Sequence, residues 1–357
     1  MLLFLTGLTT LNGEPQDIDT LRVGVVGLVH GHVGWILGRE DRGDIDIVGI
    51  AESDRDLAQR YAARYGFDTR LVYETAQEML EATEPEAVTV FSNTYDHLAV
   101  TEAAAAQGVH VMVEKPMAIS LEHARRMKAV ADSAGIHLLT NYETTWYPTV
   151  HYAKDQIATM GDIRKIIVYD GHPGPVEIGV GEEFWSWLLT EEKNGGGALM
   201  DFGCYGANLI TWFMEGQRPV SVIAVTQIYK AEAPYGAVDD EATIILAYPS
   251  AQGIIQASWN WPFNRKDMHV YATGGYVFQD DGVSGRIRRT SGADETFRLE
   301  PRGAPYDDPF AYLAAVVRGE VDPEGSPSSL EINMVAMEIL DAARRSVRSG
   351  QKIVLDP

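Results

Sequence analysis

Apolar and polar positions follow two different rhythms along this 357-residue chain. Between about residues 21 and 141, short unbroken apolar runs alternate with stretches of helical period. Residues 21–27, 45–51, 71–73, 87–91, 109–113 and 136–140 read as strands, and 33–39, 54–65, 75–82, 97–107 and 121–134 as helices. Asp54 suits a helix N-cap and Gly66 the glycine that ends the same helix. Strands this apolar are buried on both faces, and helices between them imply a doubly wound parallel sheet.

From about Gly161 the rhythm changes. Residues 163–169, 220–228, 241–248 and 253–261 read as long strands, and 268–271 and 276–278 as shorter ones. They succeed one another with turns between and few helices, which predicts a mostly antiparallel sheet. A late helix over 330–347 carries Met334, Met337, Ile339 and Leu340 at core spacing. The fold class is therefore α/β, with a doubly wound domain at 21–141 and an α+β domain with a large, open-faced sheet at 142–357. Residues 1–20 read as a loose arm: the apolar start has no basic segment before it and no clear cleavage site, with a trimmed export signal as the alternative. An unexported, cytoplasmic chain is the expectation.

Composition narrows the partners. A net charge of −22 argues against nucleic acid and anionic membrane, and no run is long enough to span a bilayer. The single cysteine, Cys204, excludes an internal disulfide framework. No metal site is expected.

Three places carry candidate chemistry. Lys115 follows a buried strand whose carboxyl end, in an open α/β sheet, is where ligands bind. An ammonium is costly to bury there unless paired, so it either snorkels to solvent or works in a site. The first strand runs into Gly27, where a dinucleotide turn would have its first glycine, yet Val29 and His32 occupy the second and third glycine positions. A valine at the position of closest approach should obstruct a pyrophosphate somewhat. Gly31 keeps the turn permissive, and His30 and His32 either meet phosphate or pack in the turn. Glu52, ending the second strand, stands where an acid binds the ribose hydroxyls and disfavours a 2′-phosphate, so NAD is preferred to NADP; Arg55 nearby opposes that preference. The alternative for Glu52 is a surface acid. Lastly, three glycines (195–197) open an apolar helix on which Asp201, Tyr205 and Asn208 share one face. That stripe faces either solvent or a polar cleft, and in a cleft a nearby lysine would lower the tyrosine's pKa.

Glu114-Lys115-Pro116 after such a strand, followed by Gly-Gly-Gly-Ala-Leu-Met-Asp-Phe-Gly-Cys-Tyr over 195–205, resembles the Gfo/Idh/MocA oxidoreductase family. The loop Asn93-Thr94-Tyr95-Asp96-His97, Trp259-Asn260-Trp261 and Thr273-Gly274-Gly275 resemble further family motifs. The resemblance implies a Rossmann domain holding NAD, with Gly27, Val29, His30, Gly31, His32, Glu52, Ser92, Asn93, His97, Glu114 and Lys115 around the cofactor. It implies that Lys115 bonds the reacting hydroxyl or carbonyl, Asp201 binds a neighbouring hydroxyl and Tyr205, a histidine in many members, moves the proton. It also implies a dimer or tetramer through the second sheet. Numerous tryptophans favour a sugar or polyol, because indole faces stack on pyranose rings. Trp146, Trp185, His172 and Asn260 join Lys115, Asp201 and Tyr205 as substrate-binding candidates, with Arg265 and Lys266 as further readers of hydroxyls. The expected function is NAD-dependent hydride transfer at a sugar or polyol carbon. Two alternatives are glycoside cleavage through transient oxidation and a non-catalytic sugar or cofactor sensor.

Overall fold

A computed structural model describes residues 20–236 and 238–355. The arm expected at 1–20 falls almost wholly outside the described residues. Six parallel strands form the first sheet: β1 (Leu21–Val26), β2 (Ile45–Ala51), β3 (Val72–Tyr73), β4 (Ala87–Val90), β5 (His110–Glu114) and β6 (Leu138–Asn141), in the order β3-β2-β1-β4-β5-β6. The order reverses between β1 and β4, so a crevice opens at their carboxyl ends. Local signals act as read. Asp54 caps helix Arg55–Tyr65 by accepting from the Asp56 and Leu57 amides, and Gly66 ends it in the left-handed conformation.

One element joins this domain from far along the sequence. Helix Pro309–Val317, capped by Asp308, packs near β2 and buries Phe310, Leu313 and Val316 in the same apolar cluster as Leu21, Val23 and Val25 of β1. Arg39 ties it down, bridging Asp44 and Asp308 at 2.6 and 2.5 Å.

The second sheet has nine strands: β7 (Ile163–Gly171), β8 (Ser221–Gln227), β9 (Glu241–Ala247), β10 (Gln252–Ser258), β11 (Arg265–Ala272), β12 (Gly275–Gln279), β13 (Ser284–Arg289), β14 (Glu295–Arg298) and β15 (Ile353–Val354). Their order is β14-β13-β12-β11-β7-β10-β9-β8-β15, and only β7–β10 is parallel. β13 and β14 escaped the sequence reading because Arg286, Arg288, Arg289 and Glu295 mask their apolar alternation. Helices Gly203–Phe213 and Leu330–Ser349 pack on one face of the sheet. The other face stays open, and at its β8 edge Ile223, Val225, Ile228 and Tyr229 are exposed. No helix among the described residues is long and apolar enough to cross a membrane.

The glycine-led helix differs from expectation, and the difference builds the site. It is two pieces, Ala198–Asp201 and Gly203–Phe213, broken at Phe202. Asp239 fixes the start by accepting from the Gly197 and Leu199 amides at 3.0 and 2.7 Å. A side chain at Gly197 would run into the Asp239 backbone. At the break the Tyr205 amide donates to Phe202 O, one residue short of a regular turn. The Asp201 carbonyl is thereby free for a partner outside the helix.

Candidate active site

That partner is Lys115. β5 delivers it, buried, to the interface between the two sheets, where Nζ donates to the Asp201 carboxylate and, at 3.2 Å, to the Asp201 carbonyl. The other carboxylate oxygen accepts from Trp259 Nε1 at 2.9 Å. Burial alone would lower the lysine's pKa, but Asp201 and the surrounding acids hold it above its ordinary value. Burial likewise works against the Asp201 anion, and Lys115 overrides it. The pair is a charged couple inside the protein, with little freedom to wander.

Tyr205 lies one turn beyond Asp201, as its spacing implies, with the ammoniums of Lys115 and Lys266 5.3 and 5.1 Å from its ring centre. The lysine does not depress its pKa, contrary to expectation. Burial pushes the phenol well above 10, and Glu143 adds to the effect. Each neighbouring ammonium already has its own carboxylate, Asp201 or Glu143, so little net positive charge reaches the ring. Asn208 continues the stripe but turns away, donating to Pro327 O and Asn333.

Lys115, Asp201, Tyr205, His30, Gly31, His32 and His172 line one cavity of about 850 Å³. His172 is a neutral imidazole, taken down to about 4 chiefly by burial. Its Nδ1 accepts from the Gly174 amide, so Nε2 carries the proton. Glu143, Lys266 and Tyr147 form a hydrogen-bonded cluster on the same wall. Glu143 was missed. The signal existed: like Lys115, it is a charge set just beyond a buried strand.

The dinucleotide turn fits a bound nucleotide in three respects. Gly27 has φ +80° and a Cβ there would sit 2.7 Å from the Ser92 amide, so the turn must be glycine where β1 meets the end of β4. Gly31 has nothing within 4 Å of where a side chain would start, leaving open space beside the cavity. The Val29 side chain, expected to crowd the pyrophosphate, packs on the apolar cores. Glu52 ends β2 and accepts from the Leu28 and Asp54 amides, each at 2.9 Å, leaving lone pairs for further donors. Arg55, expected to oppose the preference for NAD, donates to Val72 O at 3.2 Å.

Beside the turn, His32 Nδ1 donates to Glu114 at 2.9 Å, the other Glu114 oxygen accepts from Asn141, and the His32 amide donates to His30 Nδ1. His30, His32 and Glu114 are types that hold divalent metals, a grouping the sequence reading did not anticipate. Here they satisfy one another as a hydrogen-bonded cluster. Ser92 and Asn93 form the turn after β4, Asn93 capping the next residues by accepting from the Asp96 amide. His97 is buried, donates Nδ1 to Met117 O, and leaves Nε2 without a partner.

Three substrate candidates do not reach the cavity. Trp146 donates to Asn141 and packs edge-on against Tyr312, on the first domain's side. Trp185 packs partly buried against the core; its neighbour Phe184 is the one on the cavity wall. Asn260 is held by Asp240 and Glu241 at the β9–β10 end. Residue type marked these as sugar binders, but helix phase and strand register turned them elsewhere.

Asp170 was also missed. It faces Lys266 across the β7–β11 pair, is buried, and neither oxygen has a hydrogen-bond partner. Burial pushes its pKa well above 3.8, with Lys266 opposing and Asp267 and Glu143 reinforcing. Protonated when folded and ionised when unfolded, such a group costs stability as pH rises above the ordinary carboxylate range of about 4. Asp170→Asn is expected to raise Tm over the parent by a few degrees at about pH 8, with the gap closing toward about pH 4. A gap independent of pH in thermal melts would disprove the assignment.

Comparison with known proteins places this geometry. Residues 21–142 match the profile of the oxidoreductase family with an NAD-binding Rossmann fold, and residues 150–278 that of the GFO/IDH/MocA C-terminal domain. Trans-1,2-dihydrobenzene-1,2-diol dehydrogenase of Sus scrofa is 27% identical over 243 residues, 67% of either chain. An inositol dehydrogenase homolog from Azotobacter vinelandii, in complex with NAD+, superposes with TM-score 0.82 at 19% identity, over 97% of this chain and all of the other. Aldose-aldose oxidoreductase from Caulobacter crescentus, complexed with glycerol, gives 0.78 at 21% identity, over 94% of this chain and all of the other. These two likenesses bear on the fold. The two profile matches, in order and across most of the chain, make it a member of the Gfo/Idh/MocA oxidoreductase family, with an NAD-binding Rossmann domain ahead of the family's C-terminal domain.

Proposed function

We propose that the chain is an NAD-dependent dehydrogenase or reductase acting at a CH–OH or C=O carbon of a sugar or polyol. The buried Lys115–Asp201 pair, opening with Tyr205 onto one polar cavity, carries this reading. The relatives act on or bind a dihydrodiol, an inositol and aldoses by name, which supports a polyhydroxylated substrate. NAD, when bound, supplies hydride exchange at the nicotinamide. The chain supplies the rest. Lys115 donates a hydrogen bond to the reacting oxygen, and Asp201 holds the ammonium in place while accepting from a neighbouring hydroxyl. His172 offers a donor from Nε2.

Tyr205 handles the proton. As a neutral phenol it is ready to donate to a carbonyl oxygen as that oxygen gains charge. In the oxidative direction it must first lose its own proton, so oxidation is expected to accelerate as pH rises through the alkaline range. Tyr205→Phe should lower kcat by roughly 10²–10⁴-fold and abolish that alkaline rise. Initial rates of nicotinamide reduction across a panel of sugars and polyols, measured against pH, test this. A phenylalanine variant that keeps the parent's rate and pH profile would overturn the role.

One observation favours a second reading, transient oxidation on a retained cofactor. Helix Glu182–Leu188 of the second domain reaches the first at the dinucleotide turn and at helix Arg55–Tyr65. Phe184 packs edge-on against His30 at 4.8 Å, and Glu183 accepts from Tyr61 at 3.4 Å. Product formed without net reduced cofactor selects this reading over a simple dehydrogenase.

A further inference from the structure

A second cavity, of about 210 Å³, shares no lining residue with the first. It lies where the two domains meet, between helix Pro309–Val317, helix Gly203–Phe213 and the chain leaving β6. Trp146, Trp212, Tyr306 and Tyr312 wall it with rings, and Arg302 and His151 add polar edges. Trp146 and Trp212 spend their indole donors elsewhere, on Asn141 Oδ1 and Gly325 O, each at 2.9 Å. Rings, not donors, are what they offer a ligand.

Arg302 has no settled partner in this cavity. Its guanidinium lies 4.7 Å from the Tyr306 ring centre, and no carboxylate among the described residues pairs with it. Its side chain's one hydrogen-bond contact among those residues is His151 Nε2, at 2.9 Å. That nitrogen also lies 2.8 Å from Thr145 O, and a carbonyl can only accept. One ring nitrogen cannot donate to Thr145 and accept from Arg302 at once, so one of the two contacts goes unmet. Burial, the largest influence on Arg302, presses against its charge and lowers its pKa. A half-buried guanidinium in this position keeps its planar fork of donors available for a carboxylate.

Size and charge narrow the ligand. A dry cavity of roughly 150 Å³ admits benzene, so this one takes a single ring with a short acidic arm. Asp322 and Glu324 stand exposed among the lining residues and would repel a second negative charge. The site is also joined to the first one. Trp146 Nε1 donates to Asn141, Asn141 Nδ2 donates to Glu114 at 2.6 Å, and Glu114 accepts from His32 of the dinucleotide turn at 2.9 Å. A ring seated against Trp146 steadies the first member of that chain, and through it the carboxylate beside Lys115. We infer that this cavity binds a small monocarboxylate with a flat apolar body, its acid on Arg302 and its ring among the indoles and phenols, and that its occupancy tightens the binding of NADH.

Calorimetric titration of benzoate and phenylacetate into the full chain, first stripped of cofactor and then loaded with NADH, tests both parts. At least one is expected to bind with a Kd of about 1 mM or tighter, and benzyl alcohol about tenfold or more weaker than benzoate. Arg302→Gln should lose about tenfold or more, while the double variant Lys115→Met with Asp201→Asn should bind as the parent does. The bound acid should raise NADH affinity about fivefold or more, and NADH should raise the acid's affinity by the same factor. Trp146→Phe keeps a ring but loses the donor, so it should still bind the acid and lose that coupling. Neither acid binding, or binding unmoved by Arg302→Gln, overturns the site. Binding lost in the double variant would place the acid in the first cavity and overturn it equally. NADH affinity indifferent to the bound acid, or coupling that survives in Trp146→Phe, overturns the link between the two cavities.

Discussion

Lys115→Met should lower kcat/KM on the order of 10³-fold or more, because it removes the donor proposed for the reacting oxygen. The same change leaves the Asp201 carboxylate buried with only Trp259 as a side-chain partner. Breaking a buried pair from one side costs about 3–5 kcal/mol, so lost activity alone could reflect a weakened fold. The double variant Lys115→Met with Asp201→Asn separates the two effects. It removes both charges, so Tm should recover most of the single variant's loss while activity stays absent. Chemical denaturation and initial rates on the parent, both single variants and the double variant complete the cycle. A double variant that regains turnover along with stability would show that the lysine's role is structural.

The interest of this pair lies in how it was foreshadowed. The sequence marks Lys115 because a charge at the end of a buried strand demands a partner, and marks Asp201 because it is a polar position on an apolar helix. Their meeting depends on the break at Phe202, which no local signal announces. It follows from Asp239 fixing the helix start and from Lys115 taking a carbonyl that would otherwise close the next turn. The first domain was legible almost residue by residue, since cap, apolar run and stop glycine agree at each element, as at Asp54 and Gly66. Helix Pro309–Val317 was not, because what selects it is a vacancy on a sheet far back along the chain. The charge state of Tyr205 was misread for a related reason. Sequence brings a lysine near, but only the fold shows that each ammonium already has a closer carboxylate. The same limit applies to the tryptophans, whose type suggests sugar while their burial at Trp146 and Trp259 serves packing and hydrogen bonds.

Within the dinucleotide turn, two glycines four residues apart should answer the same substitution in opposite ways. Gly27→Ala meets the backbone of the chain leaving β4: its Cβ would lie 2.7 Å from the Ser92 amide and 2.9 Å from the Phe91 carbonyl carbon, at a φ of +80°. Left-handed strain and overpacking against main chain together should cost about 2–5 kcal/mol, felt as a lower Tm whether or not cofactor is present. Gly31→Ala meets nothing within 4 Å and has no left-handed backbone, so its effect on apo stability should stay within about 0.5 kcal/mol. If that open space is where the nucleotide phosphates approach the chain, the added methyl should nonetheless weaken NADH binding about tenfold or more. Thermal melts of the stripped protein and fluorescence titration with NADH read the two quantities independently. Gly31→Ala binding NADH as the parent does would move the phosphates away from this turn, and Gly27→Ala melting as the parent does would contradict the close contact between β1 and β4.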